Sequence, residues 1–334
     1  MRKVRLVKGV AARAPVRVLQ QLRHTARAWR HGQQLENPDV LEYIAEELSK
    51  LEHDPSVVTR ADAFMGLRRL GLEDFGYALL TMPNAAYPKL SRLLPAMADD
   101  EVQRNWTGNA GVPLLRQSAA FVRAVSYNFA RHTGRSLEGA RVLDFGCGYG
   151  RLARLMYYFV DEPALYGVDP WDLSIELCRK AGLGDRFRVS EYLPTALPVD
   201  DTQFDLLYAF SVFTHLSERA TLASLRALRR CVAGDGLLVI TIRPVEYWAH
   251  DPHTTPAEQQ SLAARHRSDG FAFNPHRRAA VDGDVTYGDT SCSLDWLARA
   301  APEWRVLATD RSLDDPFQRY VFLAPVSAGE CPAS

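Results

Sequence analysis

Val142-Leu143-Asp144-Phe145-Gly146-Cys147-Gly148-Tyr149-Gly150-Arg151-Leu152 decides how this chain folds. An apolar run enters three glycines at alternate positions, and a helical pattern follows from Arg151. Glycine at such points permits a tight turn and close approach of the backbone to a ligand. The helix beyond it should open with unpaired N–H groups and a partial positive charge. The next apolar run ends on Asp169, and a carboxylate at that strand end can accept both ribose hydroxyls of a nucleoside.

From Arg141 onward, short apolar runs alternate with helical stretches. Candidate strands are Arg141–Phe145, Leu165–Asp169, Phe187–Ser190, Phe204–Phe210 and Leu237–Ile242. Helical stretches follow at Arg151–Phe159, Leu173–Ala181 and Glu218–Val232. This alternation predicts a mostly parallel sheet with helices on both faces. A polar segment rich in histidine and aromatic residues, 244–290, interrupts it. A last helix, Ser293–Ala301, then precedes two more strand candidates, Trp304–Thr309 and Tyr320–Leu323. Upstream, residues 35–133 look helical; Leu114, Ser118, Phe121, Val122, Val125 and Phe129 share one helix face that Gly134 should end.

With 334 residues and 47% hydrophobic content, the chain can form one sizeable α/β domain and a smaller appendage. A net charge of zero gives no footing for a nucleic-acid partner. Every charged residue before Glu36 is Lys or Arg. Residues 1–30 therefore read either as a peripheral helix drawn to an anionic membrane surface or as a solvated arm. Five dispersed cysteines without a CxxC pair suggest neither a disulfide framework nor a zinc site. No apolar stretch follows the basic start as in a signal peptide, and none approaches the ~18 residues of a membrane span. The expected location is cytoplasmic, with the inner face of the membrane as the place for any arm contact. The expected organisation is a basic arm (1–34), a helical N-terminal region (35–133), an α/β domain (134–326) with an insertion (244–290), and a tail (327–334).

Val142–Gly150 resembles the class I S-adenosylmethionine (SAM)-dependent methyltransferases, with a type 11/12-like core. It matches their first motif, [VIL]-L-[DE]-x-G-x-G-x-G, at every defined position. The resemblance runs from about residue 135 to 326. It implies a Rossmann-like α/β fold: a seven-stranded sheet, mostly parallel with the last strand antiparallel, a helical N-terminal extension, and a lid insertion after the fifth strand. It implies SAM as cofactor, with Gly146, Gly148 and Gly150 bordering its methionine part and Asp144 and Cys147 in the same set. Asp169 would hold the ribose, and Pro170 and Trp171 would flank the adenine. Ser190-Glu191 sits about where an acidic residue accepts the adenine amino group, although about two extra residues separate it from Ala196. Glu191 is thus either that acceptor or a solvated loop carboxylate. Phe210 and Ser211, at the end of the fourth strand, complete the cofactor set.

Methyl transfer is an in-line displacement at a sulfonium, so the protein must align nucleophile and methyl and deal with a hydroxyl proton. Ligands of open α/β sheets bind beyond the carboxyl ends of the strands. Ser211-Val212-Phe213-Thr214-His215-Leu216-Ser217-Glu218 follows the fourth strand and is similar to a motif in one branch of the family. His215 is the candidate catalytic base, or it bonds the loop backbone and shapes the site. Arg243, closing the fifth strand, would clamp a carboxylate or phosphate of the acceptor or pair with an acid in the lid. Tyr247, Trp248 and Tyr287 would lie over the acceptor. Trp106 would close over SAM or simply pack. His250-Asp251-Pro252-His253 does not make a metal site, because proline breaks helical spacing and no carboxylate cluster supports it, so no metal is expected.

The expected function is O-methylation of a hydroxyl on a small-molecule natural product or on a sugar or glycan. The glycan reading rests on resemblance alone. The competing readings are an NAD(P)-dependent oxidoreductase, disfavoured by GxGxG in place of GxGxxG, and a non-catalytic SAM-fold binding protein using the basic arm as its contact.

Overall fold

A computed structural model describes residues 42–326, so the basic arm and the tail lie outside the described residues. The chain divides into two units, Met1–Ala45 and Glu46–Ser334. Only the first residues of one helix are described in the former. Everything else concerns the latter.

Seven strands form one sheet: β1 (Val142–Phe145), β2 (Leu165–Asp169), β3 (Phe187–Val189), β4 (Phe204–Ala209), β5 (Val232–Ile242), β6 (Trp304–Ser312) and β7 (Asp315–Pro325). Their spatial order is β3-β2-β1-β4-β5-β7-β6. The first five run parallel. The last strand inserts antiparallel between β5 and β6, as expected for this fold. Burial on both faces explains the unbroken apolar runs: all of β1 and all of Leu237–Ile242 are buried. β5 starts earlier than the sequence suggested, at Val232, which pairs with Phe204 before the register shifts to Leu206–Leu237. The last two strands are also longer than expected. They form one hairpin turned at Leu313-Asp314, and their outer residues are polar enough to hide the pattern.

Six helices precede the sheet among the described residues: α1 (Glu42–His53), α2 (Arg60–Leu67), α3 (Leu72–Leu80), α4 (Pro88–Leu93), α5 (Asp100–Thr107) and α6 (Gly111–Thr133). In α6 the expected face is the buried one, and Gly134 ends the helix in the left-handed region at φ 71°. Arginines join these helices to the sheet layer. Arg68 donates to the carbonyls of Tyr157 and Val160. Arg154, on α7 (Arg151–Met156), is only 1% exposed and donates to the carbonyls of Tyr149 and Ala96. Helices α8 (Asp172–Lys180) and α9 (Glu218–Cys231) follow β2 and β4. No helix among the described residues is long and apolar enough to cross a membrane.

The segment after β5 folds as a small unit of its own. A 3-10 turn (Val245–His250) leads into α10 (Pro256–Asp269), which is capped by a reciprocal Thr255–Glu258 box. Two strands, Phe271–Pro275 and Gly288–Cys292, then pair antiparallel. Trp248, Leu262 and Ala272 make its core. Helix α11 (Leu294–Ala300) returns the chain to β6.

Sheet order reverses between β1 and β4, so a crevice opens beyond their carboxyl ends. The turn leaving β1 depends on glycine in two ways. A Cβ on Gly146 (φ 74°) would meet Val212 Cγ2 at 2.4 Å. One on Gly150 (φ 77°) would meet Leu183 Cδ1 at 2.1 Å. Gly150→Ala should therefore lower stability by about 1–3 kcal/mol, through left-handed strain and overpacking. Urea unfolding should show an earlier midpoint with an unchanged slope, and an unshifted midpoint would remove this constraint.

Candidate active site

The turn after β1 is fastened to the end of β2. Gly146 N and Cys147 N both donate to the Val168 carbonyl, at 2.7 and 3.1 Å. Gly148 N donates to Asp169 Oδ2 at 2.9 Å. These three turn N–H groups, which precede α7, are thus already partnered. Asp169 Oδ1 accepts from Trp171 N and Ser174 Oγ, both at 2.9 Å. Burial raises the pKa of Asp169, which is 9% exposed, and these donors pull it partway back.

A cavity of about 570 Å³ lies beyond the ends of β1, β2 and β4. Asp144, Gly146, Cys147, Gly148, Asp169, Pro170 and Trp171, which the sequence singles out for a cofactor, line its end beside the glycine turn. Phe210, Ser211, His215 and Tyr287 line the rest. Trp106, from α5, stacks on the Trp171 ring with centroids 4.7 Å apart and also lines the cavity. Asp144 is 2% exposed, and its Oδ2 has no hydrogen-bond partner. Burial lifts its pKa to about 7, against the opposing pull of the Tyr208 hydroxyl and the Arg151 charge.

Five expected residues lie elsewhere. Gly150 is at the start of α7, behind the turn, packed towards Leu183. Glu191 is exposed and takes a long 3.5 Å bond from Thr195 N, while its neighbour Tyr192 is the residue that reaches the cavity. Trp248 is fully buried, with its Nε1 bonded to Ser291 Oγ at 2.7 Å, so it offers no surface to an acceptor. Arg243 and Tyr247 belong to a buried cluster beside the cavity, centred on Asp289.

Asp289 is 4% exposed. Its carboxylate accepts from Arg243 Nη1 (2.6 Å), the Tyr247 hydroxyl (3.2 Å) and His276 Nε2 (2.7 Å). Burial pushes its pKa up, but the bond to His276 and the Arg243 charge outweigh that and leave it below the usual range. Arg243 also donates to the Thr214 carbonyl and lies 4.0 Å over the Tyr247 ring. Of its two readings, the structure has the arginine paired with an acid of the insertion. His215 Nδ1 lies 2.8 Å from the Gly288 carbonyl, which requires the proton on Nδ1, and Nε2 then faces Arg243 Nη2 at 3.3 Å. Burial, and next the Arg243 charge, hold its pKa down at about 4. Its ring stacks parallel on Tyr287, 5.0 Å away, and Arg278 lies 4.0 Å over that tyrosine. The sequence reading missed Tyr192 and Arg278. Tyr192 stands one position after a residue it did weigh, and Arg278 carries no local signal.

The chemistry of the cofactor end fits SAM. Two carboxyl groups, one with an orphaned oxygen, face a cavity that would receive a sulfonium and an ammonium. The pyrophosphate of a dinucleotide would meet the same acids and find the turn's N–H groups taken. Among the described residues no His, Cys, Asp or Glu cluster is placed to hold a metal ion.

Residues 143–240 match a family model described as a methyltransferase domain. No curated protein matches the chain by sequence. Similar solved structures include an S-adenosylmethionine-dependent methyltransferase from Clostridium acetobutylicum ATCC 824 (10% identity, 68% of this chain and 97% of that one, TM-score 0.43). Another is magnesium protoporphyrin IX methyltransferase from Synechocystis PCC 6803 with bound SAH (16%, 68% and 94%, 0.42). A third is the glycopeptide N-methyltransferase MtfA with sinefungin (16%, 60% and 85%, 0.41). The methyltransferase-domain match thus falls on the stretch from β1 to β5 that carries the glycine turn and Asp169, and the sheet order and the acid-lined cleft are those expected of a class I SAM-dependent methyltransferase.

Proposed function

We propose that the enzyme methylates a hydroxyl group of a small-molecule natural product or of a sugar or glycan, presented from the end of the cavity where His215 and Tyr287 stand. The observation that carries this reading is the polarity of this cavity: carboxyl groups at one end, and aromatic faces with polar edges at the other. Asp169 would take the ribose hydroxyls, Trp171 and Pro170 the adenine, and Asp144 Oδ2 the ammonium of the methionine part. Bound SAM supplies a methyl already activated on sulfur. Aromatic rings beside hydrogen-bonding groups suit the face and hydroxyls of a sugar or a similar polyol.

His215 serves this reaction as a positioning residue rather than as the base. A pKa near 4 makes a weak base at neutral pH, and both ring nitrogens are already engaged. What the ring does is hold Tyr287 flat against it, and through Gly288 it ties the insertion to the loop after β4. The protein then contributes alignment and exclusion of water, which account for a large share of the rate of a displacement whose leaving group is already cationic.

Calorimetry with S-adenosylhomocysteine (SAH) tests the cofactor assignment. Asp169→Ala should weaken SAH binding by about 1–3 kcal/mol, and NAD(P) should not bind the wild type. Equal SAH affinity in both proteins would take Asp169 out of the site. Comparing host metabolites and glycans with and without the gene should reveal one species lacking a methyl group.

The low pKa of His215 has a stability consequence. The folded protein keeps the ring neutral, whereas the unfolded chain accepts a proton below about 6.5. The stabilisation is complete above that pH and is lost as pH falls towards about 4, a change on the order of 3 kcal/mol. Between pH 7 and pH 4.5 the stability of His215→Asn should fall by about 2–3 kcal/mol less than that of the wild type, by urea unfolding. Parallel losses would show that His215 is not held neutral.

A further inference from the structure

The arginines around the cavity are not equivalent. Arg243 is committed to Asp289, the Thr214 carbonyl and His215. Arg151 donates to Gln117 and Ser118. Arg278 lines the cavity beside His215, Leu216 and Tyr287, and its guanidinium has no ion pair or hydrogen bond among the described residues. Yet it is placed: it lies 4.0 Å over the Tyr287 ring, which also stacks on the parallel His215 ring and meets the His276 ring edge-on at 5.5 Å. Three planar groups therefore form one stack, anchored at its base by the Nδ1 bond of His215 and open at its top through the N–H fork of Arg278.

The charge around this fork favours an anion. The buried carboxylate beside His215, that of Asp289, is ion-paired with Arg243 and hydrogen-bonded to His276. The other cavity carboxyl groups, Asp144 and Asp169, stand at the cofactor end. Stacking on an aromatic face leaves the in-plane N–H donors of a guanidinium available, and their fork matches two oxygens of a carboxylate or phosphate.

We propose that Arg278 is a specificity-determining residue and that the acceptor carries an anionic oxygen group, a carboxylate or a phosphate, close to the atom that is methylated. The proposal rests on the acceptor lying at the His215–Tyr287 end of the cavity. The acceptor is held by a bidentate pair to Arg278, the reacting group lies between that pair and the cofactor, and a neutral analogue leaves the fork solvated and is bound less well.

The test uses the full chain saturated with SAH in low-salt buffer, where screening is weakest. Inorganic phosphate and acetate are titrated by calorimetry into the wild type, Arg278→Gln and Arg278→Lys. Wild type should bind at least one anion saturably, Arg278→Gln should bind it at least about fivefold more weakly, and Arg278→Lys should fall between them. The tighter of the two anions tells whether the natural group is phosphate or carboxylate. Equal affinities in wild type and Arg278→Gln, or no saturable binding to the wild type, would overturn the proposal. SAH affinity is measured separately on each protein, so a failure of the cofactor assignment shows itself as lost SAH binding, apart from the anion result.

Discussion

Three successive N–H groups of one turn, those of Gly146, Cys147 and Gly148, are held by the end of the neighbouring strand: two by the Val168 carbonyl and one by the Asp169 carboxylate. The geometry of the cavity follows from this attachment. Burying a carboxylate is costly, and Asp169 is tolerated because backbone and hydroxyl donors surround it. In return it couples the ends of β1 and β2, so that the glycine turn and the Trp171 loop keep a fixed separation. A residue that binds ligand hydroxyls would thereby also be part of the scaffold.

The same economy appears at the other end. Asp289 gathers Arg243, Tyr247 and His276, with His215 close by, into one buried group. Its partners come from the end of β5, the insertion and the loop after β4. Isolated buried charges would destabilise the fold, but here each has a partner, and removing one would strand the others. The network sets where the His215 and Tyr287 rings stand, and so it shapes the cavity wall at that end.

Much of the fold was legible in the sequence. Strand and helix periods, the glycine turn, the carboxylate at the end of β2 and the face of α6 all rest on local spacing, and local spacing survives folding. The cofactor end was legible for the same reason, since most of it lies on one continuous stretch and the next strand end. The acceptor end was less so. Segment 244–290 needs a core of its own, and Trp248 fills it instead of facing the cavity. The Asp289–Arg243 pair joins residues far apart in sequence and leaves no periodic trace. Tyr192 differs from Glu191 only in the direction in which an irregular loop turns.

Arg154 has a further consequence. A cation sealed from water, bonded to Tyr149 in the glycine turn and to Ala96 ahead of α5, makes the upstream helices and the binding loop parts of one cooperative unit. Excising a minimal module that begins at β1 would take away the Ala96 carbonyl and open to water the face of α7 that α3 and α6 cover. The boundary drawn by the family motif is therefore not a boundary of folding.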